Sequence, residues 1–126
     1  MKTVLDTSAV LAFLNREMGG DIAGARLSDA AISVANVIEI GSKLIDGGMT
    51  HEAAWEAIEL LDAEMVEIDL DLASLATALR QDTRHKGLSL ADRLCLATAI
   101  RKGATAVTAD RAWASLDLPC PIEVIR

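Results

Sequence analysis

Aromatic residues are almost absent from this sequence of 126 residues, which contains one Phe, two Trp and no Tyr. Many proteins hold single-stranded nucleic acid by stacking its bases on aromatic rings. Phe13, Trp55 and Trp113 are too few to make stacking the main contact. A nucleic-acid partner would therefore have to be held through its backbone, by charged groups or by a metal ion.

Cysteine and histidine are scarce as well, with two residues of each. Cys95 and Cys120 lack the spacing of metal ligands, and Cys95 lies in an apolar segment. We therefore expect free thiols in a reducing cytoplasm rather than a disulfide. His51 and His85 are isolated from each other, which argues against a zinc site.

Long apolar runs are also missing. No segment has the roughly 18 uninterrupted apolar residues that a membrane helix needs. Residues 1–17 resemble a signal peptide faintly, but Asp6 interrupts the apolar run and no small-residue cleavage site follows. The sequence therefore predicts a cytoplasmic protein with no membrane partner.

Basic residues are few, and the formal net charge is −7. The sum argues against a nucleic-acid partner, but the charges are unevenly distributed. Residues 44–79 contain no Lys or Arg and many acids, whereas residues 80–111 are rich in Arg and Lys. Two interpretations stay open: one end of the molecule faces a polyanion, or these charges cover solvated helix faces.

Apolar residues make up 52% of the chain, enough for a buried core, and the length suits one domain over residues 1–126. Short β-rich runs alternate with helical patterns. Strands are predicted at 2–6, 30–34, 65–70, 104–110 and 122–126. Helices are predicted at 8–15, 34–45, 50–63, 71–87, within 87–103, and briefly at 111–116. This order predicts an α/β fold with a mostly parallel, about five-stranded sheet and helices on both faces.

Acidic side chains directly follow two of the predicted strands. Asp6 ends the first strand and Asp110 ends the fourth. In parallel sheets of this kind, ligands bind beyond the carboxyl ends of the strands, where the strand order reverses. Both acids therefore lie where a site is expected, although each would also serve as the N-cap of the helix that follows it.

Two further acids lie on predicted helices. Ser89 and Asp92 have the spacing of a capping box, yet Asp92 shares its helix face with apolar residues, where an unpaired carboxylate costs several kcal/mol. Glu39 lies beside the apolar stripe of its helix, so periodicity alone predicts a solvated side chain.

Taken together, these acids indicate a metal site. Three or four carboxylates at one place repel each other unless they share a cation, and oxygen ligands suit Mg²⁺ or Mn²⁺. Such an ion, with sites open to water, fits phosphodiester hydrolysis. The sequence has no phosphate-cradling glycine loop, which argues against an NTPase.

Four stretches carry these acids: VLDTSAVLAFL, ISVANVIEIGSKL, GLSLADRLCLATAIRKG and AVTADRAWASL. Together they resemble the PIN-domain family, and within it the VapC-type toxins of bacterial toxin–antitoxin pairs. The resemblance implies a three-layer α/β/α fold and a Mg²⁺- or Mn²⁺-dependent endoribonuclease. It places the four family acids on Asp6, Glu39, Asp92 and Asp110, with Thr7, Ser8 and Thr108 beside them. Asp6 and Asp92 are expected to touch the metal most directly.

The resemblance also implies an RNA substrate, a cognate VapB-type antitoxin and a homodimer. The charge distribution offers candidates to hold the RNA backbone: Arg16, Arg80, Arg84, Lys86, Arg93 and Arg111. Two alternative functions stay open. A haloacid-dehalogenase-like phosphatase would need a second Asp where this chain has Ser8, and a non-catalytic PIN-like binding module would use the acids only as helix caps.

Overall fold

The computed structural model describes residues 2–126. Five short strands form one sheet: β1 (Thr3–Leu5), β2 (Ala30–Ser33), β3 (Glu64–Val66), β4 (Thr105–Thr108) and β5 (Ile122–Val124). Six α-helices connect them: α1 (Thr7–Leu14), α2 (Gly20–Arg26), α3 (Val34–Asp46), α4 (His51–Glu59), α5 (Leu70–Thr83) and α6 (Leu90–Lys102). Three 3₁₀ turns add Leu27–Asp29, Arg84–Lys86 and Arg111–Ser115. The predicted α/β class and five-stranded sheet are confirmed.

All strand pairs are parallel, and the strand order is β3-β2-β1-β4-β5. The strand β1 is central, with Val4 paired to Ala31 on one side and to Ala106 on the other. Chain order reverses here, because β2 lies on one side of β1 and β4 on the other. The carboxyl ends of β1 and β4 therefore border the crevice in which such sheets bind ligands.

Alternate residues of the strands are buried against opposite helix layers, as the period of two requires. Val4 belongs to a core that α5 and α6 cover, through Leu72 and Leu96 among others. Leu5 belongs to the other core, which includes Ile40 of α3 and Ile58 of α4. The three-layer arrangement expected from the family resemblance is thus present.

The sequence patterns missed α2, which is not predicted because its glycines are poor helix formers. Its glycines are required by packing. A Cβ on Gly20 would lie 2.2 Å from the carbonyl oxygen of Ala12, and one on Gly24 would lie 2.7 Å from the ring of Phe13. The close approach of α2 to α1, rather than helix propensity, determines this segment.

The state of the two cysteines agrees with the prediction. Cys95 and Cys120 are both free, as expected, and both are buried. Within α3, Ile40 is fully buried, whereas the side chain of Ile38 is 63% exposed. Among the helices of residues 2–126, none combines the length and the apolar character that a bilayer crossing requires.

Candidate active site

Asp6 lies at the carboxyl end of the central strand and is 3% exposed. Its Oδ1 accepts hydrogen bonds from the backbone N–H of Ala9 and the hydroxyl of Ser8, both at 2.8 Å. Its Oδ2 accepts a bond of 2.5 Å from the hydroxyl of Thr108. Asp6 is therefore the N-cap of α1, as predicted, and its carboxylate is held in one orientation by three donors.

The end of β4 is tied to the same place. The Oγ1 of Thr108 accepts a hydrogen bond from the backbone N–H of Asp110 at 3.0 Å, and the Oγ of Ser8 accepts one from Ala109 at 2.9 Å. Asp110 is exposed and caps the 3₁₀ turn that follows, through the N–H of Ala112 at 2.9 Å. Thr108 thus joins the two acids that end neighbouring strands.

Asp92 lies in the first turn of α6 and forms the predicted capping box. Its Oδ2 accepts from the backbone N–H of Ser89 at 2.9 Å, while its own N–H donates to the Ser89 hydroxyl at 3.2 Å. Cys95, Leu96 and Ala99, which share its face, are fully buried. The capping box explains why an acid begins this helix, but it does not explain why the acid is half-buried.

One cavity of about 300 Å³ brings the acids together. Its lining consists of polar side chains from both strand ends, α3 and the start of α6: Asp6, Thr7, Ser8, Glu39, Lys43, Ser89, Asp92 and Asp110. All four acids predicted from the sequence are included, and so are Thr7 and Ser8. Thr108 lies beneath them and bonds to Asp6.

The protonation equilibria show that the acids interact. Burial raises the pKa of Asp6 to about 6, against the opposing effect of its three hydrogen bonds, and the charge of Asp92 adds to the rise. Burial also raises the pKa of Asp92, with further contributions from the negative charges of Glu39 and Asp110. The helix N-terminus and the capping hydrogen bonds lower the pKa of a carboxylate, and here burial and the neighbouring negative charges outweigh them. The site therefore holds negative charge at a cost.

The donor set fits a hard divalent cation, because all the available ligands are carboxylate or hydroxyl oxygens. Within residues 2–126, however, no three Asp, Glu, His or Cys side chains already stand in the arrangement of a metal site. Coordination by Asp6, Glu39, Asp92 and Asp110 would require their side chains to draw closer together.

The six basic residues predicted to hold RNA do not line this cavity. Arg16 borders a separate depression of about 780 Å³ where α1 meets α2. The guanidinium of Arg93 donates to the Ala76 carbonyl on α5 at 3.1 Å, so it links two helices. Arg111 donates to the carbonyl of Arg126 at 3.0 Å. Arg80 and Arg84 are exposed, and Lys86 is half-buried.

Three lining or supporting residues were not identified from the sequence. Among the described residues that line the cavity, Lys43 is the one with a basic side chain. It follows Glu39 by four residues on α3, a spacing that places both on one helix face. Ser89 lines the cavity beside Asp92, although the sequence indicated only its cap. Asn36 is a fully buried polar residue one turn before Glu39.

The family model for the PIN domain matches residues 3–118. The chain belongs to the PIN-domain family. The match includes all four acids and both strand ends that carry the site. Among curated proteins, none matches the sequence significantly.

Solved structures resemble this PIN domain over nearly its whole length. The crystal structure of VapBC2 from Rickettsia felis, bound to a DNA fragment from its promoter, superposes with a TM-score of 0.75 at 20% identity, covering 100% of both chains. VapBC-5 from Mycobacterium tuberculosis gives 0.66 at 25% identity over 99% of this chain and 98% of that one. VapC20 of the same organism, described as a sarcin–ricin loop cleaving toxin, gives 0.71 at 16% identity over 94% and 98%.

Proposed function

We propose that this PIN domain is the endoribonuclease toxin of a VapC-type toxin–antitoxin pair, and that it uses Mg²⁺ or Mn²⁺. The observation that carries the proposal is the single cavity that gathers Asp6, Glu39, Asp92 and Asp110 at the carboxyl edge of the sheet. The raised pKa values of Asp6 and Asp92 support it, because a bound cation would offset the cost of burying these two charges and, to a smaller extent, the repulsion between the acids.

The partners in this proposal come from the relatives. Several similar structures are toxin–antitoxin complexes, which supports a VapB-type antitoxin as the partner of this chain. A similar structure from M. tuberculosis is a toxin that cleaves the sarcin–ricin loop, which supports RNA as the substrate class. A homodimer follows from the family resemblance and belongs to the same proposal.

When bound, the metal would polarise a water molecule and neutralise charge on the phosphoryl group. The protein side chains divide the remaining tasks. Asp6 and Asp92 are held by their neighbours and would keep a fixed orientation towards the cation. Asp110 is exposed and Glu39 is half-buried, and these two would complete the cluster or accept a proton from the attacking water. Lys43 would attract the RNA phosphate.

The phosphatase alternative loses its support at Ser8. The position that would need a second Asp carries a hydroxyl that donates to Asp6 and accepts from Ala109. Both oxygens of Asp6 accept hydrogen bonds, which makes this carboxylate a poor nucleophile. Membership of the PIN family argues in the same direction.

The non-catalytic alternative explains part of the geometry, because Asp6, Asp92 and Asp110 are all helix caps. It does not explain why Glu39, which caps nothing, lines the same cavity. The two proposals differ in a measurable way, since only the enzyme requires the cavity to bind metal.

The test compares Asp92→Asn with a matched control, Asp69→Asn. Asp69 also caps a helix, through the N–H of Leu72 at 2.7 Å, but it lies outside the cavity. Mn²⁺ should raise the Tm of the wild type and of Asp69→Asn by mass action, and should leave Asp92→Asn unchanged.

The same three proteins are then incubated with bacterial RNA, and the new RNA ends are sequenced. Wild type and Asp69→Asn should produce discrete new ends with Mn²⁺ and none with EDTA, whereas Asp92→Asn should produce none. A wild-type protein that ignores both Mg²⁺ and Mn²⁺ would contradict the enzyme proposal.

A further inference from the structure

Asn36 is a polar side chain in the fully buried part of α3, with 0% exposure. It is the third residue of that helix and lies one turn before Glu39. Burying an amide is unfavourable unless its donors and acceptor all find partners. The partners of Asn36 therefore indicate what the residue holds together.

The amide is assigned with Oδ1 towards Thr7, the orientation in which every contact joins a donor to an acceptor. Oδ1 accepts from the hydroxyl of Thr7 at 3.0 Å and from its backbone N–H at 3.3 Å. Nδ2 donates to the hydroxyl of Ser33 at 2.7 Å and to the carbonyl of Ala91 at 3.3 Å. One side chain thus bonds to the start of α1, the cap of α3 and the first turn of α6.

Each of these partners adjoins an acid or its helix. Thr7 directly follows Asp6, and Ala91 directly precedes Asp92. The partner Ser33 caps the helix that carries Glu39. Three of the four acids therefore lie on segments whose first turns meet at a single amide.

We propose that Asn36 is a positioning residue that sets the relative placement of Asp6, Glu39 and Asp92. This inference rests on the proposed metal-dependent function, and it adds that the mutual spacing of the acids is maintained from beneath the cavity. Asn36 is not among the residues that line the cavity. Its effect is transmitted through the backbone at Thr7 and Ala91.

The chemistry of the position restricts the residue that fills it. Two donors and an acceptor that takes two bonds are needed on a short side chain. A leucine has nearly the same shape but supplies none of these groups. An aspartate would place an acceptor against the carbonyl of Ala91 and add a charge beside the acid cluster.

The experiment compares Asn36→Leu with Thr83→Val in the full chain. Thr83 is also buried, at 1% exposure, but its hydroxyl donates only to the carbonyl of Leu79 within α5, which carries none of the four acids. Both substitutions remove a buried polar group and should lower the Tm. Only the first removes a link between the segments that carry the acids.

Three measurements are made well below the Tm of both variants. Calorimetry with Mn²⁺ alone should give about tenfold weaker binding for Asn36→Leu, the scale typical of residues that support metal ligands indirectly. Hydrogen exchange of the metal-free protein should give faster exchange of the Thr7 amide. RNA cleavage should give a kcat reduced by a similar factor with a KM changed by less than about threefold.

The outcomes distinguish the positioning role of Asn36 from the proposed metal-dependent function. Equal Mn²⁺ affinity and equal kcat in Asn36→Leu and Thr83→Val would overturn the positioning role and leave a purely structural one. Weaker Mn²⁺ binding in Thr83→Val of the same size would overturn it as well. Failure of the wild type to bind Mn²⁺ would instead contradict the proposed function on which the inference rests.

Discussion

Replacement of Asp6 by Asn should stabilise the metal-free protein at neutral pH while abolishing its response to metal. The carboxylate is 3% exposed, and burial raises its pKa to about 6. A neutral amide of the same shape avoids the burial of charge. It retains the oxygen that accepts from the Ala9 N–H, so the N-cap of α1 is preserved.

The magnitude follows from the protonation equilibrium of Asp6. A rise in the pKa from the ordinary 3.8 to about 6 means that ionisation costs the folded state about 3 kcal/mol. Asn must place an N–H where Asp6 now accepts from Thr108, which reverses that hydrogen bond at a cost of about 1 kcal/mol. The net gain above pH 6 is therefore about 2 kcal/mol, or about 8 °C in Tm for a chain of this length.

The sign depends on pH in a specific way. Because the pKa of Asp6 is raised by folding, its contribution to stability is fully present below about pH 4 and is lost as the pH rises through about 6. The variant has no such loss. The difference in unfolding free energy, variant minus wild type, should thus be about −1 kcal/mol in acid, cross zero near about pH 4.5 and level off above pH 6.

The assay is urea unfolding of both proteins in EDTA across this pH range, because the difference cancels the titration of the groups that do not interact with Asp6. Asp69→Asn provides a control of opposite sign. The N–H of Leu72 and the guanidinium of Arg101 lower the pKa of Asp69, so its contribution is present at neutral pH and lost in acid. A difference for Asp6→Asn that does not change with pH, or a variant less stable than wild type at pH 8, would refute the account of Asp6.

Three further results are expected. Lys43→Met should bind Mn²⁺ several-fold more tightly, because the substitution removes a positive charge from the acidic cavity. The same variant should have a higher KM for RNA, and the dependence of its RNA affinity on salt concentration should be weaker, with a log–log slope smaller by about 0.7. Lys102→Met, which removes the partner of an exposed Glu, is its control. Mn²⁺ affinity should increase from about pH 5 to about pH 8, since burial raises the pKa of Asp6 to about 6 and the metal must displace its proton. Calorimetry in two buffers detects the released proton. Gly20→Ala should lower the free energy of unfolding, measured in urea, by about 3 kcal/mol, because its Cβ would lie 2.2 Å from a carbonyl oxygen of α1. Gly47→Ala is the control and should be nearly neutral, because its Cβ would lie 3.5 Å from its neighbours.

Most of the fold could be predicted because local signals and long-range packing agree. Ser33 and Thr50 cap helices that were predicted over nearly the same residues, Ser89 forms the predicted capping box, and Gly103 ends α6 in the left-handed conformation. The alternation of strand and helix then limits the topology to a parallel sheet. The helix α2 could not be found in this way, since its glycines oppose helix formation until α1 lies against them.

The residues of the candidate site show the same difference between local signals and long-range packing. Asp6 and Asp110 were identified because strand ends are recognisable, and the parallel pairing of β1 with β4 brings them together. Glu39 was not separable from a solvated glutamate by periodicity, and only the family resemblance included it. The basic residues were chosen from charge along the chain, which carries no information about which helix faces the cavity. The cavity is instead lined by Lys43 of α3, a helix in which acidic residues outnumber basic ones.

The contrast between Asp92 and Asn36 explains why some functional residues are visible in sequence and others are not. Asp92 conflicts with its apolar surroundings, and that conflict is local, so a helical wheel detects it. Asn36 is also a polar residue in a buried position, but its partners Thr7 and Ala91 lie 29 and 55 residues away along the chain. A buried amide becomes interpretable only when the three helix starts converge on it. Two features therefore determine the arrangement of the acid cluster. One is the set of carboxylates at recognisable sequence positions, and the other is a hydrogen-bond network that forms only in the folded chain.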